Sequence, residues 1–99
     1  MIKDSETMRT HILEQADRCV TVDRNAQYGE PEDNFEIIAM FWSDYLGMEI
    51  SAHDVGMMMV LFKIARIKGG GVKEDNYVDA CGYLACAGEI ALKNEAEGQ

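Results

Sequence analysis

The segment Asp75-Asn76-x-x-Asp79-x-x-Gly82-Tyr83 carries the residue types and spacing of a small-molecule site. Asp75 and Asp79 are four residues apart, so on a helix their carboxylates can share a hard cation such as magnesium, which takes oxygen ligands. At about 100° per residue, Asp75, Asn76, Asp79, Gly82 and Tyr83 fall within an arc of roughly 120°. A solvated face accounts for the same spacing. Gly82 adds weight to a site, because a glycine inside a helix costs about 1 kcal/mol relative to alanine and marks the close approach of something. Gly88 on the opposite arc carries the same cost, which a closely packed neighbouring helix explains without a ligand.

Upstream, Lys63 and Arg66 are three residues apart and share a stripe with Gly56 and Met59. A cationic last turn answers the helix dipole. Lys63, however, follows the apolar run Val55 to Phe62. Its stem has to leave a buried helix, and its ammonium has to meet a carboxylate or a phosphate. Asp79 or Asp75, across the Gly69-Gly70-Gly71 turn, is the expected partner. Earlier still, the stretch Arg24 to Phe35 supplies Arg24, Tyr28 and Asn34 around Gly29 and Pro31. Arginine forks, aromatic rings and amides are the groups that grip phosphates, stack on bases and read base edges. Asp54 and Glu36 are further carboxylates a metal could use, although Asp54 lies about 180° around its helix from Lys63.

Four helical segments have to position these groups. The first is expected over residues 5–23, with Met8, Ile12, Ala16, Cys19 and Val20 as its buried stripe. Gly29 and Pro31 break the chain. A second helix over 32–46 follows, with Phe35, Ile38, Phe41, Trp42 and Tyr45 inward, acidic residues at its start and Gly47 at its end. Ser51 and Asp54 have capping-box spacing and open a third helix over 52–67. That helix is apolar on every side from Val55 to Phe62, so it is central or also faces a partner subunit. After the three glycines a fourth helix spans 74–94, its core face read as Tyr77, Cys81, Leu84, Ala85, Gly88 and Leu92. The triple glycine lacks the strand before it and the Lys-Ser/Thr behind it that a phosphate loop needs. With no strand period in competition, the expected fold is an all-α four-helix bundle with short connections.

Ninety-nine residues make one helical domain, 1–99, with a core too small to cover all its apolar surface, which favours a homo-oligomer. A net charge of −9 repels a phosphate backbone, so a nucleic acid polymer is not an expected partner. No apolar run approaches the roughly 20 residues of a membrane span, and the first residues lack the apolar stretch of a secretory signal, so a soluble cytosolic protein is expected. Cys19, Cys81 and Cys86 are odd in number, have no CxxC spacing and sit among apolar neighbours. They read as reduced core residues.

The ordered set Arg24, Tyr28-Gly29-x-Pro31, Asn34-Phe35, Asp54-Val55, Met58-Met59, Lys63-x-x-Arg66 and Asp75-Asn76-x-x-Asp79-x-x-Gly82-Tyr83 resembles a family of small phage-encoded proteins of uncharacterised function. More distantly, the helical layout is similar to the all-α nucleotide pyrophosphatases of the MazG type. That resemblance implies magnesium-dependent hydrolysis of nucleoside triphosphates by a dimer or tetramer, while the resemblance to phage-encoded proteins implies a location in the cytoplasm of an infected bacterial host. The superfamily's ExxE and ExxD pairs have only partial counterparts. Asn76-x-x-Asp79 stands for one, and Asp33-x-x-Glu36 lies further away along the chain than the superfamily's spacing allows.

Phosphoryl transfer depends on positioning and on metal neutralisation of charge, so missing carboxylates undermine hydrolysis more than binding. The leading expectation is a protein that binds a nucleotide-derived small molecule, by analogy with phage proteins that sequester host immune nucleotide signals. Arg24, Lys63 and Arg66 would meet phosphates, Tyr28 or Tyr83 would stack on a base, and Asn34 or Asn76 would read its edge. The alternatives are a magnesium-dependent pyrophosphatase using Asp75 and Asp79 with Asp54 or Glu36, and a structural helical oligomer without a ligand.

Overall fold

The computed structural model describes residues 7–23 and 29–97. Its elements are α1 (Met8–Arg18), a π-helical turn (Cys19–Asp23), α2 (Pro31–Leu46), α3 (Ala52–Gly69) and α4 (Glu74–Ala96). The protein is all-α, its helices packing as a bundle, and no strand occurs among the described residues.

Local chemistry fixes each boundary. The Thr7 side chain accepts a hydrogen bond from the Thr10 amide and caps α1. Pro31 occupies the first turn of α2, where its missing N–H costs nothing, and Gly47 ends the helix in the left-handed conformation at φ 69°. Ser51 and Asp54 form the capping box of α3, with both reciprocal hydrogen bonds at 3.0 Å. The break between α1 and the π-helical turn was not expected from the sequence, since a local change from i−4 to i−5 bonding leaves no periodic signature.

The core is small. Phe35 and Val55 are its largest fully buried side chains, and Ala39, Ala52, Cys86 and Ile90 complete its centre. The antiparallel pair α3 and α4 makes the most extensive helix contact, with α2 lying on α3 and α1 on α4. Gly56 sets how closely α3 and α4 approach: a Cβ there would lie 2.9 Å from that of Ala87. Several expected core positions are on the outside instead. Phe41 and Tyr45 of α2 are 71% and 89% exposed, because α2 turns its Phe35–Ala39 edge inward.

The inward arc of α4 also differs from the expectation. Asn76, Val78, Gly82, Cys86, Ala87 and Ile90 are buried, whereas Tyr77, Leu84, Ala85 and Leu92 are exposed. The arc read as a polar stripe therefore lies largely inside the fold, and the arc read as the core face lies outside. Gly82 is accounted for by packing, since a Cβ there would meet Val20 Cγ1 at 3.0 Å. Gly88 is not, since nothing lies within 4 Å of its missing side chain.

Candidate functional site

The register of the α3–α4 hairpin brings the separate motifs together. Gly56 meets Ala87, and Lys63 meets Asp79, so facing residues have numbers that sum to 142 or 143. The same rule places Met59 beside Tyr83, both packed on the core, and Arg66 beside Asn76, which line one cleft. The centre of symmetry falls in the glycine turn, where Gly71 adopts φ 85°, a conformation that favours glycine.

Lys63 Nζ lies 2.9 Å from Asp79 Oδ2, with side-chain exposures of 15% and 37%. The pair forms as the sequence anticipates: a lysine stem leaving an apolar helix finds a carboxylate on the facing helix. Beside it, a cleft of about 100 Å³ is lined by Asp79, Tyr83, Gly82, Val20 and the two cysteines Cys19 and Cys86. Tyr83 is held against Phe35, with ring centroids 6.3 Å apart.

A second cleft, of about 300 Å³, opens at the hairpin turn between Arg66, Gly69, Gly70, Lys73 and Asn76. The Arg66 guanidinium stands 5.0 Å, and the Lys63 ammonium 5.8 Å, from the Phe62 ring centroid, an arrangement that favours cations over the ring face. Lys63, Arg66, Lys68 and Lys73 are four of the chain's nine lysines and arginines. A strongly acidic protein thus concentrates positive charge at one end of one hairpin.

Asn76 is the only buried polar residue among the described residues, at 7% exposure. Its backbone amide donates to the Lys73 carbonyl at 3.2 Å, but its side-chain amide makes no hydrogen bond to any described residue. An unpaired buried amide costs about 1–3 kcal/mol, and this one borders the cationic cleft. The same cleft contains the N-terminus of α4, whose cap position, Lys73, supplies no side-chain hydrogen bond. The partial positive charge of that terminus therefore faces the cleft uncapped. Of the two carboxylates in the first turn, Glu74 is drawn to His11, with Oε2 3.1 Å from Nε2; Asp75 stays exposed.

The expected magnesium ligands are not assembled. Asp54 accepts a hydrogen bond from the Ser51 amide through Oδ2, which, with the Ser51 hydroxyl, holds its carboxyl below the ordinary value of 3.8. It serves as a cap. Glu36 lines a different groove, with Glu32, Asp44, Glu49 and His53, near Ile90 of α4. Asp79 is engaged by Lys63, and no group of three or more His, Cys, Asp or Glu among the described residues could hold a metal ion. Asn34 sits half-buried in the first turn of α2 and lines neither cleft. Arg24 and Tyr28 lie outside the described residues. Lys73, a basic residue directly before the acidic start of α4 that none of the motifs includes, also lines the cleft at the hairpin turn.

The fold and clefts define an all-α helical protein with a cationic, amide-bearing cleft at a hairpin turn. The chain belongs to the family described as "Domain of unknown function (DUF6378)", whose model matches residues 11–91. That span includes Lys63, Arg66, Asn76, Asp79 and Tyr83. The chain is similar to the Gene 55 protein of Mycobacterium phage D29, 46% identical over 92 residues, and to the Gene 55 protein of Mycobacterium phage L5, 35% identical over 85. These alignments cover 93% and 85% of the chain but 60% and 54% of the two relatives. The chain therefore spans little more than half the length of the curated relatives it matches. The phage origin of both agrees with the resemblance drawn from the motifs. No solved structure matches the chain. Among the described residues no helix is long and apolar enough to cross a membrane.

Proposed function

We propose that this protein binds a nucleotide-derived small molecule through the hairpin-turn cleft and holds it without cutting it. The observation that carries the proposal is the buried amide of Asn76, which has no hydrogen-bond partner among the described residues and lies beside Arg66 and Lys73. A ligand presenting phosphate oxygens to the two cations and an acceptor or donor to the amide would satisfy all three at once. Lys63 contributes by exchanging part of its contact with Asp79 for a phosphate oxygen. Tyr83 offers the neighbouring ring face. Binding is favoured over hydrolysis because Asp79 is paired with Lys63 and no group of three or more His, Cys, Asp or Glu among the described residues is placed to hold a metal ion, whereas metal-assisted phosphoryl transfer needs carboxylates gathered around one. Retention of an intact nucleotide would suit sequestration of a host signal, by analogy of class.

The test is to incubate the protein with canonical, cyclic and ADP-ribose-type nucleotides, with and without magnesium, remove free ligand, denature the protein and analyse what is released. Intact nucleotide in both conditions supports the proposal. Monophosphate plus pyrophosphate appearing only with magnesium replaces it with a pyrophosphatase, and the absence of both retention and turnover refutes it.

A further inference from the structure

On the side of α3 turned away from α4, Met57, Met58, Leu61 and Ile64 are 36%, 39%, 62% and 49% exposed, and Ala65 between them is exposed too. At about 100° per residue they occupy an arc of roughly 120°, centred on Leu61 and nearly opposite Gly56 and Lys63. Asp54 and Lys68 end the same arc, each seven residues from Leu61 and both exposed. Met57, Leu61, Ile64 and Lys68 also follow the four-three-four spacing of a helix-pairing seam. Nothing within the described chain covers this face.

We infer that the face is covered by a second copy of the chain, with the two α3 helices packed antiparallel about a two-fold axis at Leu61. The sequence of the arc is its own complement about that residue. An antiparallel pair sets Leu61 on Leu61, Met58 against Ile64 and Met57 against Ala65, and it sets Asp54 of each copy against Lys68 of the other. A parallel pair would place like charges together at both ends. Self-complementarity of this kind is what an isologous interface requires, and an unrelated partner would not impose it. The exposed side chains leave on the order of 400 Å² of apolar surface per copy, the size of the largest patch on a typical monomer and about half of what each partner in a standard interface buries. The dimer is accordingly a weak one, in exchange with monomer. Phe62, on the edge of this face, lies against Lys63 and Arg66, so the interface adjoins the cleft while resting on different residues and on an independent measurement.

Sedimentation velocity from micromolar to near-millimolar concentration tests the inference. The expected mass rises towards twice 11.1 kDa, and Leu61→Arg weakens association on the order of a hundredfold, since it buries an unpaired charge at the centre of the contact. Leu61 is already mostly exposed, so this variant keeps the melting temperature of the monomer. Lys68→Glu sets like charges against Asp54 and weakens the dimer about tenfold at low salt, with the loss fading at high salt. Mixed Met57→Cys and Ala65→Cys proteins cross-link to each other in preference to themselves. A monomer at every concentration overturns the inference, as does a dimer that survives Leu61→Arg but is lost in Leu84→Arg, on the exposed face of α4. Preferential cross-linking of Met57→Cys to itself overturns the antiparallel arrangement.

Discussion

Gly56→Ala isolates the contact on which the geometry of the site depends. The added Cβ would lie 2.9 Å from Ala87 Cβ, 3.3 Å from Phe35 Cε2 and 3.4 Å from Ala87 Cα. Carbon atoms prefer separations of about 3.5–4.0 Å, and the neighbours cannot give way cheaply. Ala87 has no rotamer to change, and Ala87 and Phe35 are 0% and 1% exposed. The helices must therefore part by several tenths of an ångström. Overpacking of this kind costs about 1–3 kcal/mol. Against it, replacing a helix-interior glycine by alanine returns about 0.5–1 kcal/mol. The net is a loss of about 1–2 kcal/mol, or roughly 5–15 °C in melting temperature for a domain of this size. Gly88→Ala is the matched control on the same hairpin: nothing lies within 4 Å, so only the propensity gain of about 0.5–1 kcal/mol remains and the melting temperature rises. Thermal unfolding followed by circular dichroism reads both. A Gly56→Ala protein as stable as the Gly88→Ala protein would show that α3 and α4 do not pack through Gly56, and the register that joins Arg66 to Asn76 would fall with it.

Other outcomes follow from the same contacts. Ser51→Ala removes the hydroxyl that accepts from the Asp54 amide and should cost about 1 kcal/mol of stability in a denaturant titration. Because the Asp54 pKa is lowered on folding, mainly by the Ser51 amide, its contribution is fully present above the ordinary value of 3.8 and is lost as the pH falls below it. Asp54→Asn should therefore lower the melting temperature at pH 7, where the contribution is present, and flatten its pH dependence below pH 4. Lys63→Ala should abolish nucleotide retention while costing no more than about 1 kcal/mol, the worth of a partly exposed ion pair; a large drop in melting temperature with retention intact would make Lys63 structural. Phe35→Ala, which empties the centre of the core, should cost about 3–5 kcal/mol, read as a lowered midpoint in a denaturant titration.

Much of the fold was legible because glycine, proline and a capping pair punctuate a clear helical period. The Lys63–Asp79 pair was legible too, since a cation ending an apolar run has to be neutralised and the glycine turn leaves few candidates. The interior of α4 was not. Both of its arcs hold small or apolar residues, and periodicity separates two faces without saying which is inside. Val20 against Gly82 and Ala87 against Gly56 decide that question, and both are contacts between distant segments. For the same reason Phe41 and Tyr45 read as core: aromatic residues at helical spacing mark an apolar face whether a core or a partner covers it. The carboxylates Asp54 and Glu36 share residue type with Asp75 and Asp79, but not location, because one caps α3 and the other points into a separate groove.

Asn76 is buried with no side-chain partner among the described residues, and in the proposed function a ligand supplies one. Asn76→Leu keeps the approximate volume and removes the unpaired amide, so its effects on stability and on binding should have opposite signs. Isothermal titration of a retained nucleotide in the presence of a magnesium chelator is the most direct measurement. The unsubstituted protein should bind without metal, and Asn76→Leu should lose affinity on the order of a hundredfold while being at least as stable as the original. Undiminished affinity in Asn76→Leu, or binding that disappears with the chelator, would contradict the proposed function.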